Sequence, residues 1–269
     1  MKNKRIAALI RKDLREIGGT KMVMIPMIVV PLIMALVIPV AIILTLALGS
    51  TDMLNGVEQM EKLIPVYPVP ERITELPQQL LYIFLNYTFL PLFLIIPLMI
   101  SSIIAANSVV GEKERGTLET LLYTPVTNRE FILGKLLGAF LPGVLMTFPA
   151  FLLYAAVANG LSWHFFGTLT VTSPVWIPAL LLLSPGVALL GLGVTLLVSI
   201  KAKTFMEAQQ VSAMVVLPLV AMMLAQISGL LIFSPLYLVI IALVLLMGDY
   251  LLVVKLIPRF NREAVLARL

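Results

Sequence analysis

Six long apolar stretches, separated by polar connections, limit what this chain can become: 22–48, 80–109, 131–157, 175–200, 209–233 and 235–254. Each has the roughly 20 mainly apolar residues that a helix needs to cross a hydrocarbon core of about 30 Å. A helix satisfies its own backbone polar groups inside a bilayer. The expected fold is an all-α integral membrane protein with six transmembrane helices. Composition agrees, with 60% of residues hydrophobic and 12% charged, against roughly half and a quarter in soluble domains. That leaves too few charges to coat a water-facing surface. A soluble enzyme, a nucleic-acid-binding module and a disordered chain are excluded. With no cysteine and one histidine, the chain has no disulfide, no thiol nucleophile and no Cys/His zinc cluster.

Basic residues set the orientation. Lys2, Lys4, Arg5, Arg11, Lys12, Arg15 and Lys21 precede the first span. Lys113, Arg115, Arg129 and Lys135 surround the connection between the second and third. Lys201 and Lys203 follow the fourth, and Lys255, Arg259, Arg262 and Arg268 lie in the tail. Only Lys62 and Arg72, in the 49–79 loop, fall on the other face. By the positive-inside rule both termini are expected in the cytoplasm. The first apolar run is too long for a removable signal peptide core. The chain reads as one transmembrane domain, 1–269, with 49–79 as its outer loop and 255–269 as a cytoplasmic tail.

Residues 1–21 read as an interfacial helix. Ile6, Leu9, Ile10, Leu14 and Ile17 share one helical face and charges occupy the rest, the pattern of a helix lying on the inner membrane surface. Gly18 and Gly19 end it. Pro26, Pro31, Pro39, Pro91, Pro97, Pro142 and Pro149 fall inside spans and predict ordinary kinks. A tight hairpin is expected near Phe233–Ser234–Pro235, between the last two spans.

The most informative stretch is 111–125, after the second span. It is dense in charge, then turns apolar with helical spacing at Leu118, Leu121 and Leu122. Pro125 stops this short helix, and Thr127 with Glu130 forms a capping box that starts the third span. Such a helix either caps the bundle or docks a cytoplasmic protein. The run GEKERGTLETLLYTPVTNREFILGK, 111–135, resembles the signature of the ABC type-2 exporter permeases. The match includes Glu112, Glu114, Gly116, Thr117, Leu118, Glu119, Leu121, Leu122, Thr124, Pro125, Val126, Gly134 and Lys135. It covers about a tenth of the chain closely, and the rest resembles the family in layout.

The resemblance implies a permease subunit of a prokaryotic plasma-membrane exporter, with two permease copies and two ATP-binding cassette ATPase subunits. It makes 111–125 the coupling helix that enters a groove of the ATPase, with Glu112, Glu114, Arg115, Thr117, Leu118, Glu119 and Leu122 as docking residues. Lys201, Lys203 and Glu207 would make a smaller second contact. ATP and magnesium would be held by the partner, because this chain lacks a Walker A loop: Gly134-Lys135 is followed by Leu136, and Arg129 stands at the upstream glycine position. The short connection between the last two spans departs from family members with developed outer helices. It fits small-molecule, peptide or ion efflux better than polysaccharide export, and the cargo itself stays open among drug, peptide, lipid and sodium ion. No catalytic residue, metal site or bound cofactor is expected in this chain.

Other polar residues have plainer readings. Asn86 and Gln226 lie within spans, where interhelical hydrogen bonds explain them. Asp249 is the acid well inside a span, a functional candidate by default, with pairing to Lys255 or Lys201 the favoured reading. Gly134-x-x-x-Gly138 and Ala221-x-x-x-Ala225-x-x-x-Gly229 suit close helix packing, the second as a dimer contact. His164, Trp163, Phe165, Phe166 and Trp176 read as an outer aromatic belt. Two rivals remain, a gradient-driven secondary transporter and a non-transporting membrane scaffold. The first wants buried charges at mid-membrane and often a repeat, and the sequence offers only Asp249.

Overall fold

The computed structural model describes residues 2–47, 64–117 and 127–259, with side chains for 4–47, 64–117 and 127–254. Among them the regular structure is helical, with no strand. A first helix, α1, covers Lys2–Gly19. Six further helices are long and apolar enough to cross a membrane: α2 Lys21–Ala47, α3 Leu76–Glu114, α4 Asn128–Phe166, α5 Trp176–Ser199, α6 Phe205–Ile227 and α7 Pro235–Val254. The last continues to Arg259.

The central element is α3. In its most apolar window 89% of residues are buried, against 22% for α2 and 17% for α6 and α7. Small residues let α4 and α5 close on it. A Cβ on Gly143 of α4 would lie 2.0 Å from the Ser101 hydroxyl of α3, and one on Gly191 of α5 would lie 2.8 Å from that of Ser102. On the other side of α5, Gly186 and Gly193 receive Leu245 and Leu252 of α7. Glycine at a membrane helix interface permits this approach because dispersion, not the hydrophobic effect, holds such helices together.

Four wide π turns interrupt the spans, at Ile33–Val37, Phe84–Thr88, Asn107–Gly111 and Ala179–Leu183. Pro31 and Pro39 flank the first, Pro91 follows the second and Pro178 precedes the fourth. A proline withholds a donor and crowds the carbonyl four residues back, and a wider turn relieves both. The third π turn has no proline beside it. By contrast α4 runs unbroken through Pro142 and Pro149.

Several sequence expectations are revised. The helix of α4 extends to Phe166, so His164 sits in its last turn rather than in a loop. Trp176 does not join a belt: it is buried, and its ring packs 4.9 Å from Phe151 and 5.4 Å from Tyr154. The capping of α6 by Thr204 starts that helix at Phe205, before the apolar run begins. It ends at Ile227, so residues 228–234 connect it to α7 in place of a tight hairpin. Gly134 and Gly138 do serve close packing, and the element they receive is α1, through Leu9 and Asp13.

Replacing Gly143 by Val should force α3 and α4 apart and cost about 1–3 kcal/mol. Gly160, in the same helix with open space around its Cα, is the control. Thermal unfolding in detergent should show a lowered midpoint for Gly143→Val and little change for Gly160→Val.

Candidate functional site

At the end of the bundle that carries α1, charged residues converge on the junction between α3 and α4. Lys135, in the second turn of α4, is only 1% exposed. Its ammonium donates to Asp13 Oδ1 of α1 at 3.0 Å and to Glu112 Oε1 of α3 at 2.9 Å. Glu112 is fully buried and Asp13 is 2% exposed. Lys12 also donates to Glu112 Oε1 and pairs with Glu16 at 3.3 Å. Arg115 closes the circuit on Glu16 at 3.9 Å. Three carboxylates thus face three cations, and α1, α3 and α4 are held at one point. Asp13, Glu16 and Glu112 bring oxygens within 4.8 Å of one another, the spacing of a cation site, but the two lysine ammoniums fill that position.

Local sequence explains the placement. Leu9, Asp13 and Ile17 are spaced four apart, so they share the buried stripe of α1. Gly134 lets that stripe approach: a Cβ there would meet Leu9 at 2.8 Å. Thr127 accepts from the Glu130 N–H at 3.2 Å while Glu130 accepts from the Thr127 N–H at 2.8 Å, the expected capping box. Arg5 of α1 lies 3.7 Å from Glu130 and adds a second tie.

Glu112 and Glu114 are two residues apart on a helix and therefore point to different sides. Glu112 points inward. Glu114 reaches outward, where its Oε1 accepts from the Phe205 N–H at 3.0 Å. That N–H belongs to the first turn of α6 and has no partner inside its own helix. Glu207 accepts from the Lys203 N–H at 2.8 Å, and its own N–H donates to the Thr204 hydroxyl at 3.2 Å. The helix start is thus capped by acids from two segments, an arrangement its dipole favours. Gly116 then takes φ 67° and ends α3, a left-handed conformation that only glycine enters at little cost. Thr117 donates to the Glu112 carbonyl at 3.3 Å.

The sequence-selected residues therefore separate. Glu112 was expected to face a partner, and the structure corrects this: it is engaged inside the chain by Lys12 and Lys135. Glu114, Arg115, Thr117, Lys201, Lys203 and Glu207 are exposed and lie on two neighbouring connections. Leu118, Glu119 and Leu122 lie outside the described residues. Asn86 is a structural tie far from this joint. Its amide donates to the Tyr82 and Thr170 carbonyls at 2.9 and 2.7 Å, and its oxygen accepts from the Ser173 N–H and the Trp176 ring, each at 3.2 Å. Gln226 is buried with no side-chain partner among the described residues. Asp249 is 2% exposed and has no hydrogen-bond partner among the described residues; the expected pair with Lys201 is not formed, and the side chain of Lys255, the other expected partner, lies outside the described residues. Sequence reasoning passed over Asp13 and Lys12. The available signal was an acid on the apolar stripe of an amphipathic helix.

A family model described as ABC-2 family transporter protein matches residues 7–252. The chain belongs to the ABC-2 transporter family. No curated protein and no solved structure matches it. The match takes in α1 from its second turn and all six membrane-spanning helices. In this ABC-2 chain the Glu-x-Glu-x-Gly run does three separate jobs: an inward charge, an outward helix cap and a helix stop.

Removing Lys135 would leave the Asp13 carboxylate buried without its hydrogen-bonded cation and Glu112 with Lys12 alone. Lys135→Ala should lose about 3–5 kcal/mol, and adding Asp13→Asn and Glu112→Gln should recover most of the loss in thermal unfolding. The same joint predicts a pH effect. Burial pushes the Asp13 carboxyl above its ordinary value of 3.8, more than Lys135 lowers it. The folded chain then binds that proton more tightly than the unfolded chain, so this group's contribution to stability falls as pH climbs from 3.8 through the raised value. Asp13→Asn should flatten that part of the stability–pH curve.

Proposed function

We propose that this chain is the transmembrane subunit of an ATP-driven exporter. The basic end of the bundle is its cytoplasmic face, in a prokaryotic plasma membrane, with both termini inside. Two permease copies, identical or different, would form the path, and separate ATP-binding cassette subunits would bind ATP with magnesium. The 111–125 segment is the docking element, with 201–207 as a second contact. The observation that carries this reading is the joint itself. The connection leaving α3 is tied to α1 and α4 through Lys135 and to α6 through Glu114. A load applied to that connection reaches four helices at once, which is what coupling to a moving partner requires. Membership in the ABC-2 family supports the same reading.

One observation favours a gradient-driven transporter as the second reading: a carboxylate, Asp249, buried within a span without a hydrogen-bond partner among the described residues. Intramembrane acids commonly serve ion pathways.

Purification of the tagged chain from its native membrane in mild detergent should bring a stoichiometric ATPase that carries a Walker A loop. Replacing Leu118 and Glu119 together by Ala should abolish transport and leave membrane insertion and thermal stability unchanged. Normal export by that double variant would remove the docking role. Transport that survives ATP depletion but not collapse of ion gradients would favour the second reading.

A further inference from the structure

Between α6 and α7 lies a cleft floored by α3 and α5. Its walls are apolar throughout: Val215, Leu219 and Met222 on α6, Ile241 and Leu245 on α7, with Leu98 and Leu190 below. The cavity is about 90 Å³, smaller than the roughly 150 Å³ apolar cavity that takes up benzene in a protein core. It suits a short stretch of one alkyl chain, with the rest of the chain outside. Pro218, on its rim, is exposed on the surface of the single chain, so the cleft opens outward there.

Beyond the apolar residues that line the cleft, the helix register brings one charged side chain toward its inner end. Gly186 faces Leu245, and Gly193 faces Leu252. Those two pairs fix the register of α5 against α7, and the same offset sets Asp249 level with Leu190, which lines the cleft. Asp249 follows Leu245 by four residues and so lies on the same face of α7, one turn further in. Its carboxylate is buried, and neither oxygen has a hydrogen-bond partner among the described residues. A carboxylate so placed takes up a proton or a counter-cation. A metal ion is a poor counter-cation here. It needs about six oxygen ligands, and the neighbours fixed by the register are leucines and glycines. An organic ammonium needs one carboxylate and welcomes hydrocarbon around its tail.

We infer that the α6–α7 cleft, closed at its inner end by Asp249, is a binding site for a single-chain amphipathic cation, an alkylammonium. The inference rests on the transporter reading and names its substrate class. The tail occupies the cleft, the ammonium pairs with Asp249, and access is sideways from the bilayer.

The test uses the full chain in lipid nanodiscs and two photoreactive probes, dodecylamine and dodecanol, each with a diazirine on its chain. Both partition into lipid, so the measured quantity is saturable labelling of α6 and α7 peptides, competed by unlabelled dodecylamine. The amine should half-saturate at a concentration about tenfold below the alcohol, the scale of one charge-assisted hydrogen bond. Asp249→Asn should raise the amine value to that of the alcohol and leave the alcohol unchanged, while Asp249→Glu should keep the preference. Leu219→Trp should fill the cleft and reduce labelling by both probes. Equal labelling of the parent chain by amine and alcohol would overturn the site, and this comparison needs no variant to fold. So would an Asp249→Asn chain indistinguishable from the parent. If the site fails while an ATPase co-purifies, the transporter reading stands. If the amine binds as expected and no ATPase accompanies the chain, the site stands and that reading falls.

Discussion

An ammonium group sealed from water persists only where opposite charge meets it, and Lys135 is sealed from water. The two carboxylates that meet it come from segments far apart in sequence, Asp13 and Glu112. One cation therefore dictates where the amino-terminal helix lies, how the second span ends and how the third begins. Apolar residues at positions 13, 112 and 135 together would pack at less desolvation cost, since a buried ion cluster is rarely the most stable solution. What the charges supply is uniqueness. The apolar stripe of α1 could slide along α4 with little change in buried area, whereas Asp13 meets Lys135 in one register only.

The bundle around this joint is graded. Spans α3, α4 and α5 approach closely through Gly143 and Gly191, with serine hydroxyls at the contacts. The half of this core away from the joint is sealed by aromatic rings, with Tyr154 donating to the Leu85 carbonyl at 2.6 Å and Phe89 stacked on Tyr154 at 5.1 Å. Spans α2, α6 and α7 sit outside it with most of their surface free. Internal ties reach α6 at its two ends, through Glu114 at Phe205 and through the Tyr67 hydroxyl, which donates to the Gln226 carbonyl at 3.0 Å. Between them the helix borders the apolar cleft. Fixed ends and a loosely filled middle concentrate compliance where a chain from the bilayer can enter.

Much of this was legible in sequence because its causes are local. Length and hydropathy revealed the six spans, and the capping box at Thr127 and Glu130 marked where the third begins. The small-residue spacing of Gly134 and Gly138 showed that something packs there, but not that the packing element was α1. Other errors share one cause, that the determining contact is distant. Glu112 is an acid in a polar run, the ordinary mark of an exposed residue, and only the third dimension shows two lysines waiting for it. Trp176 sits at a span boundary, as belt residues do, yet Asn86, ninety positions away, draws its ring nitrogen inward. The π turns are unreadable from periodicity alone, because each displaces it by a single residue.

The unprompted π turn, Asn107–Gly111, carries a consequence for rotation. It ends where Glu112 begins, so it sets the azimuth of everything that follows in α3. Were it to tighten into ordinary α-helix, the chain beyond would swing by roughly a quarter turn. The inward azimuth would pass from Glu112 to Gly111, and Lys12 and Lys135 would face a residue with no side chain. The outward acid at position 114 would swing off the start of α6 in the same movement. A single loop of backbone would then act like the detent of a dial, and both contacts of the joint would release together.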